Sequence, residues 1–220
     1  MYKEIYENNS MVYFEPSTDY SKIIQTGYFD KNILCKDCDG SVIGKLEDYV
    51  SRFFYGGRLD ISLKKFVKKG KLDVICAENV DYKKIKLFLL SLIWRASISN
   101  NKFFSEVKIG ATYEEIMRKF IIENEVVSDN FCPCVIISYR EHEHLKKMTR
   151  QPAQVKFNFS SKTGYVFFIA GVKYIFKITK KENDSIFLNF TLNSDNNRFL
   201  MIQANEKLRE DFITDNFINI

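Results

Sequence analysis

The chain is poor in residues that interrupt structure and in residues that usually carry catalysis. Three Pro and nine Gly occur in 220 residues, and no tract is of low complexity, which excludes a linker-built or disordered protein. The longest apolar run, Leu87 to Trp94, falls short of the roughly 20 residues that span a bilayer. The opening MYKEIYENNS carries acids and no apolar centre, so a secretory signal is not expected and a cytoplasmic setting is. No glycine-rich phosphate loop is present, because GATYEE lacks the Lys-Ser/Thr ending. Neither a Gly-x-Gly-x-x-Gly fingerprint nor a Gly-x-Ser-x-Gly elbow occurs, leaving dinucleotide and serine-hydrolase chemistry without a signature.

What is present is ordinary in bulk and uneven in detail. Hydrophobic residues make up 45% and charged residues 28%, with Phe at 20 and Tyr at 12. Such aromatic richness favours a large β component. The net charge of +5 is compatible with nucleic acid, yet below the density of a dedicated binder.

Apolar spacing changes character along the chain. Residues 1–32 read as irregular with short extended pieces such as MVYF, and NILC reads as a brief strand. Ile43, Leu46, Val50 and Phe53/Phe54 recur at helical spacing before the glycines of YGG, predicting a helix. Residues 59–77 read as two strands joined at KKGK. Asp81 is placed to cap DYKKIKLFLLSLIWRASIS, which is apolar nearly all round from Leu87 and so predicts a buried central helix. Thr112 and Glu115 have the spacing of a capping box at the head of an amphipathic helix. After Asp129, six β-branched and aromatic runs alternate with turn residues, with Ala170-Gly171 a hairpin signal. A short helix, ANEKLREDFI, closes the chain. The expected class is α+β: a helical, Cys-knuckle-containing N-terminal half (1–128) packed on an antiparallel β-rich C-terminal half (129–220), the two able to form one compact domain.

Five cysteines are an odd count for a disulfide framework, leaving metal, catalysis or burial. Cys35 and Cys38 stand in CKDCDG, whose short polar residues and trailing glycine suit a zinc knuckle. A structural zinc takes four ligands, and the second pair is expected from Cys132 and Cys134 in FCPCV, ahead of His142/His144 or Cys76. A redox pair expects a lowered thiol pKa at a helix N-terminus. Asp37 and Asp39 would instead raise it, and no βαβ unit surrounds the pair. Two plain thiols remain the third reading.

Three segments carry a resemblance. GYFDKNILCKDCDG with IGKLEDYV, then DYKKIKLFLLSLIWRASIS, then FFSEVKIG with EEIMRK resemble a group of small bacterial proteins similar to HNH-endonuclease-like, treble-clef-derived proteins. The match covers roughly residues 20–120. It implies zinc at Cys35 and Cys38, Glu47 as the helix acid, Trp94 and Arg95 as a buried pair, and a phage-defence or mobile-element setting. An active HNH nuclease also needs a histidine base and metal-holding groups, and residues 1–32 contain no histidine. The resemblance therefore implies a zinc-stabilised, catalytically degenerate relative binding nucleic acid or a protein partner.

Other residues offer narrower readings. Arg95 inside an apolar helix needs a partner, and Glu47 is the expected one, unless Arg95 lies at a wet edge. His142 and His144 in REHEH would share one face of a strand. With Glu141 and Glu143 they offer a metal-dependent nuclease site, against the plain alternative of a solvated turn. Lys64, Lys65, Lys68, Lys69 and Lys71 in SLKKFVKKGKL could grip phosphates from a hairpin, or serve as edge-strand lysines that discourage sheet association. HLKKMTR is a second basic stretch. A protein-binding effector or inhibitor acting through the aromatic sheet is the remaining class.

Overall fold

A computed structural model describes residues 11–14, 21–24, 30, 33–55, 62–69, 72–157, 163–178, 191–192 and 199–213. Its strands are β1 (Met11–Phe14), β2 (Ser21–Ile24), β3 (Ser62–Lys69), β4 (Leu72–Glu78), β5 (Cys134–Ser138), β6 (Thr149–Lys156), β7 (Thr163–Ile169), β8 (Val172–Ile178) and β9 (Phe199–Gln203). Its helices are α1 (Gly44–Tyr55), α2 (Tyr82–Ile98), α3 (Ala111–Ile122) and α4 (Glu206–Ile213). The class is α+β. All the described strands form one sheet in the order β2-β1-β6-β7-β8-β5-β9-β4-β3. Most neighbours are antiparallel, while β1 beside β6 and β5 beside β9 run parallel.

Period-two patterning builds the two faces of the sheet. Tyr165, Phe167 and Ile169 of β7, Val172, Tyr174 and Phe176 of β8, and Cys134 and Ile136 of β5 join one core with α1, α2 and α3. The alternate residues Phe168, Val135 and Ile137 join a smaller core on the other face, with Tyr139, Leu145, Met148 and Leu208. Helix α2 is the centre of the larger core. Ile85, Phe88, Leu90 and Ile93 are fully buried, and Asp81 Oδ1 accepts from Lys84 N–H at 3.0 Å to cap the helix. Ile43, Leu46, Val50 and Phe54 form the buried stripe that packs α1 on this core.

The β7–β8 hairpin turns at Ala170 and Gly171, with φ of 50° and 75°, as a two-residue primed turn requires. A Cβ on Gly171 would lie 2.6 Å from Lys146 Cα, so this glycine serves both the turn and a close backbone approach. The runs 179–190 and 193–198, including most of SIFLNFTL, lie outside the described residues, as does the 70–71 tip of the expected KKGK turn.

Three local expectations are corrected. NILC is not a strand: Ile33 and Leu34 bend, and the chain turns helical at Lys36. Thr112 and Glu115 form no capping box, because Gly110, at φ 88°, is the N-cap and α3 starts at Ala111. The carboxylate facing inward there is Glu114, which accepts from Ser97 Oγ at 2.7 Å. His142 and His144 lie in a turn after β5 rather than on a strand. Tyr139 O accepts from His142 N–H and begins a succession of tight turns.

Candidate functional site

The helix carrying CKDCDG starts at its first cysteine. Cys35 O accepts from Asp39 N–H at 2.9 Å, the first helical bond of a stretch that runs from Lys36 through a π-helical segment, Cys38–Ile43, into α1. Cys35 therefore occupies the capping position, and its Sγ accepts from Cys38 N–H at 3.3 Å. Cys35 is exposed and Cys38 half-buried. The Cys38 N–H and thiol both bond to the Cys35 sulfur and hold its pKa below the ordinary thiol value, while the same thiol contact raises Cys38. The expected upward push from Asp37 is present but is the smallest influence on Cys35. Hydrogen bonds at short range outweigh a carboxylate pointing into water. Asp39 is exposed, and its backbone carbonyl accepts from Gly44 N–H within the helix.

Cys132 and Cys134 sit elsewhere in character. Both are buried, at 3% and 4% exposure, and Cys132 takes φ 46° in the loop before β5. Burial pushes the Cys132 thiol up to about 12 and Cys134 well above its ordinary value. Their charged neighbour is Lys86, itself buried, whose Nζ donates to Phe131 O at 2.6 Å and Asp129 O at 3.4 Å. Burial lowers the Lys86 pKa. Zinc takes thiolates and four ligands. Among the described residues no group of three or more His, Cys, Asp or Glu side chains is placed to hold a metal. As placed, Cys35, Cys38, Cys132 and Cys134 do not assemble a four-thiolate set.

Arg95 Nη2 donates to Glu47 Oε1 at 2.7 Å, and Arg95 Nε donates to Ser91 O at 3.2 Å. The two side chains are 24% and 28% exposed, so the pair lies at the rim of the core. Further along α2, Asp30 accepts from Ser99 Oγ and Asn100 N–H. Ser97 Oγ bonds both Glu114 and Ile109 N–H, and Lys108 Nζ reaches Ser97 O. These bonds lash the end of α2 to the segment before CKDCDG and to α3. Sequence reading missed Asp30, Glu114 and Lys86. Lys86 had a signal in standing between Ile85 and Leu87, where the apolar surface of α2 begins.

His142 Nε2 donates to Ala204 O at 3.3 Å, tying the turn after β5 to the segment before α4. Glu141, Glu143 and His144 are exposed, and Glu143 accepts from Lys146 Nζ at 2.7 Å. The structure thus places these four residues in a solvated turn with one anchored histidine. Lys64, Lys65, Lys68 and Lys69 lie in β3, the outermost strand on one side of the sheet. Lys64 pairs in register with Cys76, and Lys68 with Asp73; the register shifts between Lys64 and Phe66. Lys71 lies outside the described residues.

Among the described residues no helix is long and apolar enough to cross a membrane. In comparisons with known proteins, no family model matches the chain, and neither a curated protein nor a solved structure does.

Proposed function

We propose that the protein is an HNH-like scaffold without nuclease chemistry that binds nucleic acid along the lysine-rich edge of its sheet, in a bacterial defence or mobile-element setting. The observation that carries this reading is the place of SLKKFVKK as β3, which among the described residues is the terminal strand, paired to β4 alone. Four of the eight residues of this strand are lysines, Lys64, Lys65, Lys68 and Lys69, so one short stretch of backbone gathers several cationic residues that a sugar-phosphate chain can meet. Each phosphate neutralised releases counterions, so affinity falls steeply with salt. The net charge of +5 acts in the same direction. Glu47 is paired with Arg95, which suits a bracing role for the helix acid between α1 and α2. Among the described residues the two histidines belong to no group of three or more His, Cys, Asp or Glu side chains placed to hold a metal.

The test is a gel shift with labelled single- and double-stranded DNA and RNA at low salt. Replacing Lys64, Lys65, Lys68, Lys69 and Lys71 by Ala should weaken binding at least about tenfold and flatten its salt dependence. No shift by the wild type at about 50 mM salt would refute the reading. Divalent-ion-dependent cleavage lost in a His142→Ala/His144→Ala variant would replace it with the nuclease.

A further inference from the structure

Cys35 and Cys38 take no part in binding at the sheet edge, and their geometry has a chemistry of its own. They are the two cysteines outside the core; Cys76, Cys132 and Cys134 are all buried. Three positions apart on a first helical turn, their Cα atoms lie about 5 Å apart, inside the roughly 4.4–6.8 Å that a disulfide spans. The pair is also asymmetric. Cys35 is the exposed sulfur and accepts the Cys38 N–H at 3.3 Å, whereas Cys38 is partly covered. The N–H groups of the opening turn are directed to Cys35, Cys38 N–H to its sulfur and Asp39 N–H to its carbonyl, and a helix start of this kind favours negative charge on the sulfur. Among the described residues no third or fourth metal donor joins the two sulfurs.

We propose that Cys35 and Cys38 form a redox-active dithiol that exchanges with low-molecular-weight disulfides, Cys35 attacking and Cys38 resolving. The Cys35 thiolate attacks one sulfur of a disulfide RSSR, making a Cys35–SR bond as the S–S bond breaks and RS⁻ leaves. Cys38 then gives its proton to the released thiolate or to water, and its sulfur attacks Cys35 Sγ. A Cys35–Cys38 disulfide forms and the second RS⁻ departs. Two thiols have lost two electrons and two protons, and RSSR has become two RSH. A dithiol reductant runs the steps backward.

This inference is independent of nucleic-acid binding, and its test reads sulfur alone. The full-length chain, purified under reducing conditions, is treated with oxidised glutathione and followed by mass spectrometry with peptide mapping. Wild type should lose two hydrogen masses through a Cys35–Cys38 bridge. Cys38→Ser should hold a glutathione adduct on Cys35, and Cys35→Ser should bridge nothing and gain little adduct. A measurement on wild type avoids any folding defect of the variants: iodoacetamide should label Cys35 at least about tenfold faster than Cys38 or the buried cysteines. Equal labelling of Cys35 and Cys38, or no bridge with glutathione, would overturn the proposal. So would stoichiometric zinc by elemental analysis that leaves with Cys35→Ser and keeps both wild-type thiols inert until chelation.

Discussion

Arg95 on α2 and Glu47 on α1 meet at 2.7 Å, with each side chain about three-quarters covered. The contact joins α1 to the central helix of the larger core, and the Ser91 carbonyl takes a second bond from the same guanidinium. A pair in this position escapes much of the screening that weakens exposed pairs such as Asp48–Arg52, whose partners are 57% and 51% exposed.

The pair should therefore contribute measurably to stability. Glu47→Gln and Arg95→Met are each expected to cost about 1 kcal/mol, and the double variant should show a coupling of roughly 0.5–1 kcal/mol. Denaturant unfolding of the four proteins gives the number. A coupling near zero would mean that Arg95 is held by its Ser91 bond and by packing of its stem alone.

Glycine substitutions should separate backbone strain from steric conflict. Gly110 and Gly171 both have positive φ, but a Cβ on Gly110 meets nothing within 4 Å, whereas one on Gly171 meets Lys146 Cα at 2.6 Å. Gly110→Ala is expected to cost about 1 kcal/mol from conformation, and Gly171→Ala distinctly more. In thermal melts of a chain this size, each kcal/mol lowers Tm by about 2–4 °C. Equal effects at the two sites would remove the close approach of the hairpin to the 145–147 turn.

Stability should fall on the alkaline side because of Cys132. Its folded pKa, about 12, lies above the ordinary value of 9.0, so the unfolded chain releases this proton first. The contribution is complete below about pH 9 and is lost as pH rises from 9 toward 12. Cys134 shifts in the same sense, while Lys86, which faces both thiols, shifts in the opposite one. Comparing wild type with Cys132→Ala isolates the single group. Urea midpoints between pH 8 and pH 10.5 should decline more steeply in the wild type; parallel curves would rule the assignment out.

Elements governed by local rules were legible from the residues themselves. Asp81 followed by an apolar run makes α2, because a cap and a buried surface both act within a few residues. Ala170-Gly171 makes the hairpin, because a tight turn needs φ above zero at both positions. The helix of Ile43 to Phe54 follows from the spacing of its stripe. Where two local signals competed, tertiary contact chose. Thr112 and Glu115 had the right spacing for a cap, yet Ser97 of α2 draws Glu114 and Ile109 to itself and starts α3 earlier.

The cysteine turn shows the same division at a smaller scale. Charge counting along CKDCDG puts two acids beside the thiols and argues for raised pKa values. The helical turn puts the Cys38 N–H on the Cys35 sulfur at 3.3 Å and reverses the sign at that residue. A carboxylate's influence in water depends weakly on position, whereas a hydrogen bond exists only when the backbone has taken the right turn.

The amino-acid sequence by itself determined the α+β class, the buried central helix and the hairpin. Each of these depends on interactions between residues a few positions apart. Only the tertiary structure decided that β1 lies beside β6 and β5 beside β9, that Lys86 is buried against backbone carbonyls, and that Cys35 and Cys38 stand apart from Cys132 and Cys134. These relationships join segments distant along the chain. Their energy comes from burying apolar faces together, and that driving force has no direction until the whole sheet is assembled.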